Sequence, residues 1–249
     1  MGTGVTIDIP EAKNSRVFTD VFNYLKMVDR RFSTYKKDSE VSRYARGELK
    51  WWQRSRDLRH IINAVKDAEV ATDGAFSAWA AGTFEPSGYV KGWSIEQASK
   101  IIEKAGFDTY CISIGGDINA RGEKVWKIGI QDPKDKKRSF VTLNIKDRAV
   151  ATSGNYVRGA HIINPKTGQP ADGLSSVTVV GPNIIDADVL ATAAFVLGDF
   201  AINFIGGQAK GYEALAVHKN GRIEITREFE RYISYKRQKS QPNYETRII

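Results

Sequence analysis

The stretch running A-T-S-G-N-Y-V-R-G-A-H-I-I-N-P-K-T-G-Q-P from Ala151 to Pro170 sets the tightest local constraints on how this chain can fold. Thr152-Ser153-Gly154-Asn155 follows the apolar run Ala149-Val150-Ala151 directly. Small hydroxyl, amide and glycine residues at a strand exit predict a loop whose backbone N–H groups can face a ligand. Arg158 follows, then His161 at the start of the apolar His-Ile-Ile run. Asn164-Pro165-Lys166-Thr167-Gly168 is a turn signal, because proline presets φ and glycine accepts positive φ. A histidine pinned by short strands beside such a loop can do acid–base work near neutral pH. The plainer reading of the same residues is a β-hairpin with an ordinary polar loop.

Before that stretch, Val5, Ile7 and Ile9 alternate in a short strand ending at Pro10. Val17, Val21, Phe22, Leu25, Val28 and Phe32 fall at helical spacing, and Asp38 or Ser39 can cap a short helix after the break. Leu58, Ile61, Ile62, Val65 and Ala68 give a second amphipathic helix, running into Thr72-Asp73-Gly74-Ala75-Phe76-Ser77. That loop of small residues beside one aromatic suits a planar ring, and equally any tight turn. In Gly88-Tyr89-Val90-Lys91-Gly92, glycines allow close backbone approach and lysine adds a point charge, but the spacing is not that of a P-loop. Ser94 is expected to cap a third helix that ends at Gly106. Strands are expected at Tyr110 to Ile114, Val125 to Ile130, Phe140 to Ile145 and Val177 to Val180, with Gly115-Gly116-Asp117 as a turn. Ala214 to Val217, Arg222 to Thr226 and Phe229 to Tyr235 read as closing strands.

A fourth helix is expected from near Asp186. Asp188 and Thr192 lie four residues apart on it, one above the other on a single face. A stacked carboxylate and hydroxyl can ligate a hard cation such as Mg²⁺. Alternatively the acid merely complements the helix dipole and the threonine bonds back to a carbonyl.

With 249 residues, no tandem repeat and no linker, the chain reads as a single domain over 1–249 with a basic tail from about 236 to 249. The surplus behind the net charge of +8 is spread out, with denser patches at Lys134 to Arg138 and Lys236 to Lys239. No zinc-finger, RRM or helix-turn-helix signature accompanies it, so no nucleic-acid partner is expected and the charge reads as a solvated face. The single cysteine, Cys111, lies in an apolar run and reads as a buried small hydrophobe. No apolar run approaches the ~20 residues that span a bilayer, so no transmembrane segment is expected.

Taken in order, these motifs resemble the ApbE family, the FAD:protein FMN transferases. The resemblance covers nearly the whole chain. It rests on Met1-Gly2-Thr3, F-S-T-Y-x-x-x-S-E at Phe32 to Glu40, D-G-A-F at Asp73 to Phe76 and G-x-x-K-G at Gly88 to Gly92. Further on come G-G-D at Gly115 to Asp117, A-T-S-G-N-Y and H-I-I-N-P-x-T-G in the central stretch, and A-D-x-x-A-T at Ala187 to Thr192. Each is common alone; the order and spacing together are specific.

The resemblance implies a mixed α/β (α+β) fold of mixed sheets flanked by helices, with FAD in a cleft between the halves and Mg²⁺ at its pyrophosphate. Family members move FMN from FAD onto a Thr or Ser hydroxyl of an acceptor protein and release AMP. Carried over, Asp188, Thr192 and the backbone carbonyl of Gly88 become metal ligands, and Lys91 the FAD-contacting lysine. Met1, Tyr35, Ala75, Phe76 and Ile162 fall on flavin- or adenosine-side positions, with Ser77, Glu85, Thr152 and Ser153 on the same cofactor surface. His161, with Asp188, carries the transfer chemistry. The acceptor is expected to bear a D-x-x-[ST]-x-A-[ST]-like motif. Glu85-Pro86-Ser87 stands where the family has Asp-Leu-Gly, Ser77 replaces an acid, and the segment from Phe76 to Glu85 is short; these departures touch the adenine side more than the metal site. An FAD pyrophosphatase giving FMN and AMP, or a flavin binder without turnover, would share most of these residues. A cytoplasmic location is expected; many family members are exported lipoproteins, so the alternative is an exported protein whose signal or anchor lies outside this chain.

Overall fold

The structure, a computed structural model, describes residues 3–12, 16–135, 137–155, 159, 161–234 and 246–248. Its strands are β1 (Val5–Asp8), β2 (Tyr110–Ile114), β3 (Asp117–Arg121), β4 (Trp126–Gln131), β5 (Ser139–Ile145), β6 (Arg148–Gly154), β7 (Leu174–Gly181), β8 (Glu213–His218), β9 (Ile223–Ile225) and β10 (Thr246–Ile248). The helices are α1 (Arg16–Phe32), α2 (Glu40–Ala45), α3 (Arg56–Ala71), α4 (Ser87–Lys104), α5 (Ile184–Leu197) and α6 (Ala201–Gln208).

One eight-stranded sheet runs in the order β1-β2-β3-β6-β7-β8-β9-β10, antiparallel throughout except for the parallel β9–β10 pair. Strand alternation gives each face its own core. Tyr110, Ile112 and Ile114 of β2, Ala149 and Ala151 of β6, and Ala214 and Ala216 of β8 point to the face covered by α1, α4, α5 and α6. Val150, Val180, Leu215 and Val217 point the other way, under the β4–β5 hairpin and the turn Phe229–Tyr232. Small alanines on the helix face meet Ala187, Ala191 and Ala194 of α5, which lets that helix lie close against the sheet. A second helical core gathers Phe32, Val41, Leu58, Ile61, Phe76, Phe84, Trp93 and Val189.

Because α5 packs against the sheet, α4 and this helical lobe, its apolar residues are spread around the helix, with Asp186, Asp188 and Thr192 as its polar members. That explains why 184–208 has the length and mean hydropathy (1.8) of a membrane span while half of it is buried and Gly198–Phe200 breaks it into α5 and α6. The sequence expectation had found no run of that length; the described structure shows the run as core helices.

Several local expectations change. Helix α4 begins at Ser87, not Ser94; Ser94 lies inside it and its hydroxyl donates to the Lys91 carbonyl at 2.7 Å. The Gly88–Gly92 segment is therefore the first turns of a helix, not a loop. Thr152-Ser153-Gly154 is not a loop either, but the end of β6, registered on Thr178, Val177 and Ser176 of β7. Phe229 to Tyr232 forms a 3-10 turn in place of a strand. Gly115-Gly116 is the expected turn, with φ of 60° and 96°, and it reverses the chain into β3, a strand the sequence reading left out. Met1, Arg158 and the basic tail between 235 and 245 lie outside the described residues.

Candidate active site

A cleft of about 310 Å³ opens where the helical lobe, the sheet and the β4–β5 hairpin meet. Its wall includes Tyr35, Ala75, Phe76, Ser77, Glu85, Gly88, Lys91, Thr152, Ser153, His161, Ile162, Asp188 and Thr192. Every described residue that the sequence assigned to the site thus faces one cavity, although they come from segments spread over most of the chain.

The acid is held by helix contact. Asn183 caps α5, accepting from the amides of Ile185 (2.8 Å) and Asp186 (3.2 Å), so Asp188 falls in the second turn, pointing at α4. There the Gly92 amide donates to Asp188 Oδ2 at 3.0 Å. A Cβ on Gly92 would lie 2.8 Å from the Ile184 carbonyl oxygen and 2.9 Å from Ile185 Cα, so only glycine permits this approach. Asp188 is 1% exposed. Burial pushes its carboxyl well above the usual carboxylate range, and the Lys91 ammonium pulls against that.

Lys91 is shared. Its Nζ lies 2.7 Å from Asp117 Oδ2 and 3.5 Å from Asp188 Oδ1. Asp117, fully buried at the first position of β3, also accepts from the Thr152 amide at 3.1 Å. Sequence reasoning missed Asp117. It noted the Gly-Gly-Asp turn but not that the turn would aim a carboxylate at the lysine. The available signal was an acid directly after a Gly-Gly turn, at the opening of a strand. Lys91 therefore does more than await a phosphate: it stands between two buried carboxylates, nearer to Asp117 than to Asp188.

Thr192 sits one turn beyond Asp188. Its Oγ1 lies 3.2 Å from Ser153 Oγ, and a Cβ on Gly88 would come within 3.3 Å of it. Gly88 backbone, Thr192 hydroxyl and Asp188 carboxylate are thus oxygen donors from two adjacent helices, the set a hard divalent cation takes. Among the described residues no group of three His, Cys, Asp or Glu forms a metal site, so any ion here relies on hydroxyl and carbonyl oxygens beside a carboxylate.

On the aromatic side, Phe76 and Ala75 are buried while Tyr35 is 83% exposed at the rim. Thr72 Oγ1 accepts from the Phe76 amide (3.1 Å) and donates to the Ala68 carbonyl (2.8 Å), fixing the loop as α3 ends. Ser77 Oγ accepts from the Trp79 amide, and Glu85 accepts a hydrogen bond from the Ser87 hydroxyl. His161 is exposed and lies in irregular chain, not on the expected strand; the nearby bridge pairs Ile163 with Pro170. Its Nδ1 is 2.9 Å from the Gly159 carbonyl. A carbonyl only accepts, so Nδ1 carries the proton and a neutral ring keeps its Nε2 lone pair free.

An antiparallel-rich sheet backed by helices, with a lysine–carboxylate cluster at the floor of a cleft that Phe76 and Tyr35 also line, defines a mixed α/β protein with one candidate active site in that cleft. The chain belongs to the ApbE family, whose family model matches residues 1–84 and 81–216. The FAD:protein FMN transferase of Escherichia coli K12 is 26% identical over 268 residues, spanning 80% of this chain and 76% of that protein. The FAD:protein FMN transferase of a Vibrio cholerae O1 strain is 35% identical over 123 residues, 44% of this chain and 37% of that protein. Among solved structures, the ApbE protein of Thermotoga maritima superposes with a TM-score of 0.80 at 23% identity, covering 93% and 96% of the two chains. The Vibrio cholerae flavin transferase ApbE gives 0.74 at 24% identity over 88% and 91%. At those identities the structural likeness speaks for the fold.

Proposed function

We propose that this protein is a Mg²⁺-dependent FAD:protein FMN transferase, moving FMN from FAD onto a Ser or Thr hydroxyl of an acceptor protein. One observation carries the reading: the buried Asp188, with Thr192 and the Gly88 backbone beside it, shares the floor of the cleft with Lys91. Family membership and the names of the relatives support it. The isoalloxazine would lie against Phe76 and Ile162, with Tyr35 at the rim. Asp188, Thr192 and the Gly88 carbonyl would hold the cation, which when bound supplies charge neutralisation at the pyrophosphate. Lys91 adds a fixed positive charge on the same side.

The acceptor hydroxyl oxygen attacks the FMN-side phosphorus, a phosphoester bond forms, and the P–O bond to the AMP phosphate breaks. The proton leaving the hydroxyl passes to His161 Nε2, and AMP departs as a phosphate anion. Water entering by the same exposed histidine would give FMN and AMP, which is the second reading. Incubation with FAD, Mg²⁺ and candidate acceptors bearing a D-x-x-[ST]-x-A-[ST]-like sequence distinguishes them. A flavinylated acceptor supports transfer, free FMN supports hydrolysis, and unchanged FAD refutes both. Asp188→Ala should abolish turnover; full activity of that variant at saturating Mg²⁺ would remove the metal assignment.

A further inference from the structure

We propose that a second pocket beside the cleft docks an acidic segment of the acceptor protein; the identity of the occupant rests on the transferase reading. This pocket, about 320 Å³, is lined by Tyr44, Leu49, Arg54, Trp79, Thr83 and Phe84. Its rings are mutually braced: Phe84 meets Tyr44 edge-on at 4.9 Å and Trp79 at 5.1 Å between centroids. The Arg54 guanidinium lies 4.7 Å over the Tyr44 ring.

Charge identifies the occupant. Arg31 pairs with Glu40 and Asp57, and Arg43 and Arg46 pair with Glu48. Among the described residues Arg54 has no carboxylate partner, and its Nε is buried without a hydrogen bond. A guanidinium stacked on a ring, in a concave aromatic site and lacking its anion, fits a carboxylate flanked by apolar side chains. Its surroundings are cationic as well: between residues 35 and 60 stand eight Lys and Arg against four Asp and Glu.

Position ties the pocket to the reaction. Ala78, Ala80 and Ala81 line the cleft, whereas Trp79, Thr83 and Phe84 of the same loop line the second pocket. The loop is closed by the Glu85 amide donating to the Ala78 carbonyl (2.7 Å) and the Gly82 amide to the Trp79 carbonyl (2.9 Å). A segment anchored at Arg54 is therefore one loop away from the cleft, and the hydroxyl it carries can reach over that loop. Trp51 and Trp52, exposed nearby at 64% and 62%, could instead engage an anionic bilayer; the concavity and the braced rings favour a peptide side chain.

The test uses the full chain loaded with FAD and the fluorescein-labelled peptide Val-Asp-Leu-Ser-Leu-Glu-Val, with its Gln/Asn counterpart as control. Anisotropy should show the acidic peptide binding at least tenfold more tightly than the control. Arg54→Glu should cost at least tenfold in that affinity and Arg54→Lys less. FAD affinity and thermal midpoint of both variants should stay at the wild-type value, which excludes misfolding. Equal binding by wild type and Arg54→Glu, equal binding of the two peptides, or no binding at all overturns the proposal. Sedimentation with phosphatidylserine vesicles that depends on Arg54 while peptide binding does not would also overturn it, in favour of a bilayer. If peptide binding depends on Arg54 yet no acceptor is ever flavinylated, the docking site stands and the transferase reading fails.

Discussion

Replacing Gly92 by alanine tests the claim that the site is assembled by close contact of two helices. An added Cβ would sit 2.8 Å from the Ile184 carbonyl oxygen, 2.9 Å from Ile185 Cα and 3.2 Å from Asp188 Cβ. Ordinary carbon contacts lie at about 3.5–4.0 Å, so α4 and α5 must separate by roughly 0.6–1 Å. The obstructing atoms are backbone of another helix and cannot rotate away. Overpacking of this kind costs about 1–3 kcal/mol, offset by up to about 1 kcal/mol because alanine is the better helix former. A net loss of about 1–2 kcal/mol lowers the midpoint of a chain this size by roughly 2–8 °C. Gly207→Ala in α6 is the matched control, since nothing lies within 4 Å of its added methyl. It should hold or raise the midpoint. Separation of the helices also moves Asp188 away from the Gly92 amide, and a 1 Å misplacement in a catalytic arrangement costs about 10²-fold in rate. Thermal unfolding by circular dichroism and FMN transfer under saturating FAD and Mg²⁺ provide the readouts. A Gly92→Ala protein as stable as Gly207→Ala and within threefold of wild-type rate would refute the reasoning.

Further expectations follow from the same geometry. Asp117→Asn keeps an oxygen for the Thr152 amide but removes the charge facing Lys91. Breaking a buried pair costs up to about 3–5 kcal/mol, and with Asp188 still 3.5 Å from the ammonium a loss of about 1–3 kcal/mol is expected in denaturant titration, with a raised Mg²⁺ requirement as Lys91 turns to Asp188; unchanged stability and metal dependence would contradict the shared-lysine arrangement. His161→Ala should bind FAD normally and transfer FMN about 10²–10⁴-fold more slowly, whereas near-wild-type transfer by His161→Asn would show that the ring only braces its loop. Burial pushes the Cys111 thiol from its ordinary 9.0 up to about 11, so it stays protonated at pH 8 and iodoacetamide should modify it far more slowly than free cysteine; alkylation at the free-thiol rate would mean that this strand opens readily.

What depends on neighbours along the chain was legible in the residues alone. Helical spacing of Val17, Val21, Leu25, Val28 and Phe32 gave α1, Ser39 gave the cap of α2 with its hydroxyl accepting from the Ser42 amide at 3.1 Å, and the run Tyr110 to Ile114 gave β2 without error. The i/i+4 relation of Asp188 and Thr192 is likewise intrinsic to any helix, and motif order was enough to place the chain in its family. The start of α4 was misplaced because glycines at 88 and 92 read locally as loop. In the fold they are the points where α5 and Thr192 press against α4, and packing outweighs the propensity cost of about 1 kcal/mol per glycine. Thr152-Ser153-Gly154 read as loop because Gly154 and the following Asn155 are poor strand formers, yet pairing with β7 over the whole strand decides otherwise. Only the tertiary structure put Asp117 beside Lys91, since their chain segments meet through sheet closure and helix docking, and no local spacing encodes a contact between a hairpin turn and a helix. The sequence thus supplied the donor groups, and the packing of α4 between β3 and α5 decided which charges share one buried site and must balance there.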